Sequence, residues 1–89
     1  MEVVVIYSPD ALRQLKKLDP LISKRIVLKV ADNVLQADPL SRAKALQGRL
    51  SGMYRYRVGD YRVIFTLDEK GRLQVLTVFA VKHRKEAYK

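Results

Sequence analysis

Three arginines, Arg55, Arg57 and Arg62, lie in two short stretches of alternating apolar and polar residues that flank a Gly59-Asp60 pair. Side chains alternate between the two faces of a β-strand, so Arg55 and Arg57 share one face, about 7 Å apart. A two-residue turn with glycine first predicts a tight hairpin in which Arg57 lies directly opposite Arg62. The sequence therefore predicts three guanidinium groups converging on one face of a sheet.

The predicted arginine cluster lowers the stability of the fold but is suited to binding an anion. Like charges directly opposed across two strands destabilise a sheet by some tenths of a kcal/mol, up to about 1 kcal/mol. An anion held between the guanidinium groups removes that repulsion, and the planar arginine fork binds phosphate through two hydrogen bonds. The alternative is a solvated outer face on which each arginine points into water. Because three arginines converge, we favour the anion site.

The C-terminal residues extend the predicted cluster. We expect a third strand that runs to residue 81, with the Phe79 side chain facing the core. With that alternation Lys82 falls on the same face as Arg62, and Arg84 lies just beyond it. Both would then bind the same polyanion.

Two further residues near the C-terminus have side chains suited to catalysis. His83 is the single histidine of the chain, and imidazole is the side chain whose ordinary pKa allows proton transfer near neutral pH. Tyr88 either stacks on a base or donates to a phosphate, or it covers the sheet edge as an ordinary tail residue. Beside a polyanion site, His83 is a candidate general acid–base.

The composition limits the chain to a small basic domain. Eighty-nine residues include 18 Lys and Arg against nine Asp and Glu, a formal net charge of +9. The length predicts a single domain over residues 1–89, and 48% hydrophobic residues exclude a disordered basic tail. With no cysteine and one histidine, we expect no metal site and no cofactor. No signal-peptide pattern or membrane-spanning run is present, which favours a cytoplasmic protein without a membrane partner.

Apolar spacing predicts the elements that position these residues. A strand over residues 3–7 precedes a helix capped by Ser8 that runs to residue 18, and a second helix runs from Asp19-Pro20 to Asp38-Pro39. Strands follow at residues 53–58, 61–67 and 73–81. Residues 40–52 lack a clear period, although residues 41–46 are compatible with a helical turn. The order β-α-α-β-β-β predicts an α+β fold, with the helical pair packed on one face of a small antiparallel-rich sheet.

The second helix has a recurrent apolar stripe. Its predicted inner positions are Ile22, Ile26, Val30 and Val34, with Val27, Ala31 and Leu35 widening the stripe. We expect all of these residues to pack on the sheet.

Two segments resemble a known protein family. Residues 46–65, LQGRLSGMYRYRVGDYRVIF, resemble the centre of RelE/ParE superfamily toxins, and residues 83–88, HRKEAY, resemble the RelE branch in particular. The resemblance covers almost the whole chain and implies a RelE-like fold. It also implies a type II toxin that an antitoxin encoded beside it keeps inactive. RelE-like toxins enter the ribosomal A site and cleave mRNA there by metal-independent chemistry, which inhibits translation.

The resemblance also implies roles for individual residues. It assigns function to Arg55, Arg57, Arg62 and Tyr88, and less directly to Lys82, His83 and Arg84. RelE-type enzymes often have lysines where this chain has Arg55 and Arg57, and one of those lysines is assigned as general base. Arginine is a poor base because its pKa exceeds 12. The proton then goes to His83, which we favour, or to Glu86, or the ribosome-held substrate supplies the driving force.

Other functions and partners follow from the same features. One alternative is a ParE-like inhibitor of DNA gyrase without nuclease activity, and another is a nucleic-acid-binding module without chemistry. In the favoured interpretation the partners are the ribosome, its mRNA and a cognate acidic, RelB-like antitoxin. We expect that antitoxin to be partly helical, to wrap the basic surface and to fold as it binds, giving a hetero-oligomeric complex.

Overall fold

The computed structural model describes residues 3–81, which form a mixed five-stranded sheet with two helices. The elements are β1 (Val4–Tyr7), α1 (Pro9–Lys17), α2 (Pro20–Val34), β2 (Lys44–Ala45), β3 (Tyr54–Val58), β4 (Tyr61–Leu67) and β5 (Arg72–Ala80), with a 3-10 turn at Gly48–Leu50. The strand order is β1-β5-β4-β3-β2, and every pairing is antiparallel except that of β1 with β5. The α+β prediction is confirmed, with one additional edge strand, β2.

The helices cover one face of the sheet. The core between helices and sheet contains Ala11, Leu15, Ile26, Val30, Tyr56, Val58, Val63, Phe65, Leu73, Val75 and Val78. Ile22 and Val34 pack against it as predicted. The prediction that three further residues widen the buried stripe of α2 was wrong, because Val27, Ala31 and Leu35 are exposed, Leu35 by 82%. Within residues 3–81, no helix is long and apolar enough to cross a membrane.

The segment between α2 and β3 differs from the prediction. The helix ends at Val34, before Asp38-Pro39, and residues 41–46 do not form the helical turn that the sequence allowed. Instead, the Asp38 side chain accepts a hydrogen bond from the Leu40 backbone, and successive turns lead into β2. The Tyr56 hydroxyl donates to the Pro39 carbonyl at 2.5 Å. Burial and the Asp38 charge raise the pKa of Tyr56 to about 12, so the phenol remains a donor that fixes this segment to β3.

A β-bulge interrupts the pairing of β4 with β5. Ile64 pairs with Thr77 and Phe65 pairs with Val75, which leaves Leu76 as the extra residue. Two side chains of the N-terminal helical segment bind the bulge. The Ser8 hydroxyl donates to the Leu76 carbonyl at 2.8 Å, and the Gln14 side chain accepts from the Val78 backbone at 2.6 Å.

The bulge reverses which face each later residue of β5 occupies. Val78 is buried with the core, whereas Phe79 is 43% exposed and pairs with Arg62 on the opposite face. The expectation that Phe79 lies in the core is therefore wrong, because an extra residue in one strand shifts the alternation of all that follow.

Gln14→Ala should destabilise the fold by about 1–3 kcal/mol, because the buried Val78 N–H loses its acceptor. Urea unfolding measures the change. Arg13→Ala is the matched control, since Arg13 makes only an exposed ion pair with Asp10 among the described contacts. Its loss should cost under about 1 kcal/mol. Equal losses from both substitutions would contradict the role given to Gln14.

Candidate functional site

The hairpin of β3 and β4 has the predicted register. Arg57 pairs directly with Arg62, and Val58 pairs with Tyr61 across the turn. Gly59 has φ +57°, whereas Asp60, the second residue of this turn, has a negative φ, as a tight turn with glycine first requires. Arg55 lies two positions from Arg57 on the same strand. The structure therefore brings the three arginines together on the face opposite the helices.

A fourth basic residue joins this cluster. Lys44 in β2 pairs directly with Arg55, so its side chain lies on the same face. We call Lys44, Arg55, Arg57 and Arg62 the basic face. Lys44 was not predicted, because a two-residue strand has no periodicity to detect. The available signal for an edge strand was that β3 alternates along its length and is preceded by a segment with no predicted element.

None of the ion pairs found within residues 3–81 involves a residue of the basic face. The ion pairs in that part of the chain use other cations, namely Arg13, Lys29, Arg42 and Arg72. The Arg57 side chain donates weakly to the Gly59 carbonyl at 3.5 Å. Arg57 and Arg62 are directly opposed, and like charges in that position repel each other, so a bound anion would be favourable between them.

Two features distinguish the basic face from a plain solvated surface. Ile64 is only 6% exposed, yet it belongs to this face rather than to the core against the helices. Arg62 is half-buried, and its Nε is buried without a hydrogen-bond partner among the described residues. Unsatisfied buried donors are rare and costly, and they are found at functional sites. The arginines therefore lie around the apolar side chain of Ile64, and the unpaired Nε of Arg62 lowers the stability of the fold.

The other predicted site residues belong to the C-terminal segment. Lys82, His83, Arg84 and Tyr88, together with Glu86, lie outside the described residues. The reasoning that put Lys82 on the face of Arg62 required Phe79 in the core, and that premise was wrong. Within residues 3–81, no three His, Cys, Asp or Glu side chains are grouped so as to hold a metal ion.

Sequence comparisons relate the chain to toxins. The family model described as the ParE toxin of type II toxin–antitoxin system parDE matches residues 5–88. Toxin RelG of Mycobacterium tuberculosis (strain ATCC 25618 / H37Rv) is 32% identical over 89 residues, which is 100% of this chain and 99% of the relative.

Structural comparisons find the same fold in other toxins. A chain of the RelBE2 toxin–antitoxin complex from Mycobacterium tuberculosis matches with a TM-score of 0.77 at 30% identity, covering 90% of this chain and 99% of that one. The isolated E. coli RelE toxin matches at 0.75 and 18% identity, covering 98% and 93%. The archaeal RelE–RelB complex from Pyrococcus horikoshii OT3 matches at 0.67 and 26% identity, covering 90% and 96%.

Arg57→Gln should stabilise the fold at low ionic strength by a few tenths of a kcal/mol, up to about 1 kcal/mol, because it removes the repulsion with Arg62. High salt should reduce this gain through screening. Urea unfolding at the two ionic strengths measures both effects. Lys17→Gln in the last turn of α1 is the control, and its loss should destabilise by about 0.3–1 kcal/mol. A destabilised Arg57→Gln variant would count against uncompensated repulsion.

Proposed function

This chain belongs to the RelE/ParE superfamily of toxins from type II toxin–antitoxin systems, and we propose that it acts as a ribosome-dependent endoribonuclease. In this proposal it cleaves mRNA in the ribosomal A site and so inhibits translation. The observation that carries the proposal is the convergence of Arg55, Arg57 and Arg62 on one face, where none of them takes part in the ion pairs found among the described residues. The similarity to Toxin RelG supports the same choice.

The proposed reaction uses the RNA's own nucleophile. The 2′-hydroxyl loses its proton and its oxygen bonds to the adjacent phosphorus, while the bond from phosphorus to the 5′-oxygen breaks. The leaving oxygen takes up a proton, so the products are a 2′,3′-cyclic phosphate and a 5′-hydroxyl. Extra negative charge develops on the phosphoryl oxygens in the transition state. Preorganised guanidinium groups stabilise such charge more strongly than water does.

The basic face is suited to bind that charge but not to move the protons. Arginine remains protonated because its pKa exceeds 12, so Arg55 and Arg57 act as electrostatic and hydrogen-bonding groups. We assign the proton acceptor to His83 on the basis of its side-chain chemistry. Tyr88 completes the proposed catalytic set. Lys82 and Arg84 are proposed RNA contacts.

Arg62→Ala should reduce single-turnover cleavage of ribosome-bound mRNA by roughly 100- to 1,000-fold, as removal of one charge-stabilising donor does in other enzymes. The assay uses toxin freed of antitoxin, with product ends mapped for a 5′-hydroxyl and a cyclic phosphate. Lys16→Ala, on the exposed side of α1, should cleave at nearly the wild-type rate. Absence of cleavage by the wild-type protein would refute the proposal, and equal losses in the two variants would refute the site.

The second candidate function is ParE-like inhibition of DNA gyrase without RNA cleavage. The matching family model favours it, because that model describes ParE toxins. A supercoiling assay with purified gyrase separates the two candidates. The nuclease proposal predicts that supercoiling proceeds normally in the presence of this protein.

We further propose that the partner is an acidic, RelB-like antitoxin that docks a helix on α2 and forms a hetero-oligomeric complex. Leu21 and Leu28 lie seven residues apart on α2, Leu35 follows seven residues later as its C-cap, and the three are 77%, 58% and 82% exposed. Such spacing lines one side of a helix and fits an apolar helical partner. Lys24, Arg25 and Lys29 flank the leucines. Lys29 is paired with Asp32 at 3.8 Å, so Lys24 and Arg25 supply the positive charge that an acidic helix would complement. Two of the similar structures are toxin–antitoxin complexes, which supports this partner class.

Leu28→Gln should weaken binding of the cognate antitoxin by about tenfold or more, because a leucine buried at the interface is lost. Titration calorimetry with the antitoxin encoded beside this gene measures the change. Val4→Gln is the matched control, since Val4 is 56% exposed but lies on β1. An unchanged affinity for Leu28→Gln, or the absence of a neighbouring gene for a short acidic protein, would contradict the docking model.

A further inference from the structure

The β5 bulge places an aromatic ring on the basic face. Phe79 is 43% exposed, whereas Phe65, the other phenylalanine of the chain, is fully buried in the core. The exposure follows from the reversal of alternation after Leu76, which Ser8 and Gln14 fix through hydrogen bonds. The ring of Phe79 is thus exposed to solvent because hydrogen bonds from Ser8 and Gln14 stabilise the bulge.

Phe79 is aligned with the two opposed arginines. Arg57 pairs with Arg62, and Arg62 pairs with Phe79, so the three residues form one row across β3, β4 and β5. Direct cross-strand partners have Cβ atoms about 4.5–5.5 Å apart. The ring therefore lies one strand spacing from Arg62 and two from Arg57. An exposed aromatic ring and two opposed guanidinium groups therefore lie side by side on the same face.

This combination matches the two halves of a nucleotide. Guanidinium groups bind the phosphate, and an exposed aromatic ring stacks on a base because every base has a π-face. Single-stranded nucleic-acid sites combine a positive groove with such rings. A purely apolar protein partner fits less well, since covering Phe79 would also desolvate the adjacent Arg62.

We propose that Phe79 is a stacking platform for one nucleobase of single-stranded RNA whose phosphate lies between Arg57 and Arg62. This inference rests on the proposed function, because it assumes that RNA is the polyanion. Phe79 is a substrate-positioning residue in this account. It holds the base while the arginines hold the phosphate, and it makes binding tolerant of base identity.

The test uses ribosomes programmed with mRNA that carries a 2′-deoxy nucleotide at the cleavage position, which removes the nucleophile. A 2-aminopurine is placed at each A-site position in turn, and its fluorescence reports stacking. Wild-type toxin should quench one position. Phe79→Leu, which retains an apolar side chain without a ring, should abolish that quenching and weaken binding roughly 5- to 150-fold. Phe79→Tyr should retain both properties.

Ile6→Ala is the matched control, because Ile6 is also 43% exposed but lies on β1, away from Arg57 and Arg62. It should leave quenching and affinity unchanged. Thermal unfolding of each variant verifies the fold. If wild-type toxin cleaves mRNA but Phe79→Leu quenches and binds like wild type, the stacking proposal fails alone. If Phe79→Leu loses antitoxin affinity and not RNA affinity, Phe79 is a protein-docking residue. If wild type neither binds nor cleaves, both proposals fail.

Discussion

The register of the β3–β4 hairpin is the constraint on which the basic face depends. The Gly59-Asp60 turn fixes which residues of the two strands are opposed, and a slip of one residue would turn each arginine of one strand toward the helices. The core resists that slip, because Tyr56 and Phe65 stack beneath the sheet with ring centroids 4.3 Å apart. Packing on one face thus holds repelling charges together on the other.

Tertiary contacts then complete the face around that hairpin. Tyr56 contributes to the core and also binds the Pro39 carbonyl, which fixes the segment that leads to β2 and Lys44. The Gln14 side chain holds the bulge that aligns Phe79 with Arg62. Each of these contacts joins residues far apart in the chain. The basic face is therefore a product of the whole fold rather than of the hairpin alone.

This division explains what could be predicted from the sequence. The pairing of Arg57 with Arg62 was predictable because a short turn and alternating residues are local signals. The bulge was not, since its carbonyl and N–H groups are satisfied by Ser8 and Gln14, more than sixty positions away. Strand β2 was missed because two residues have no period. Leu35 was assigned to the core from spacing alone, although α2 ends one residue earlier.

The net charge of +9 has two separate uses in this account. The basic face lies opposite the helices, where its like charges favour the binding of an anion. Lys24, Arg25 and Lys29 surround an exposed leucine row on α2, where charge and apolar area together fit an acidic helix. RNA and antitoxin would then meet different sides of one small domain. RNA binding and antitoxin binding therefore need not use the same residues.

A structure of this toxin on a ribosome with non-cleavable mRNA tests the central claim most directly. The account predicts that an A-site phosphate lies between Arg57 and Arg62, with nitrogen–oxygen distances of about 2.7–2.9 Å to both guanidinium groups. A complex in which the basic face points away from the mRNA, and the helical lysines alone contact RNA, would contradict it.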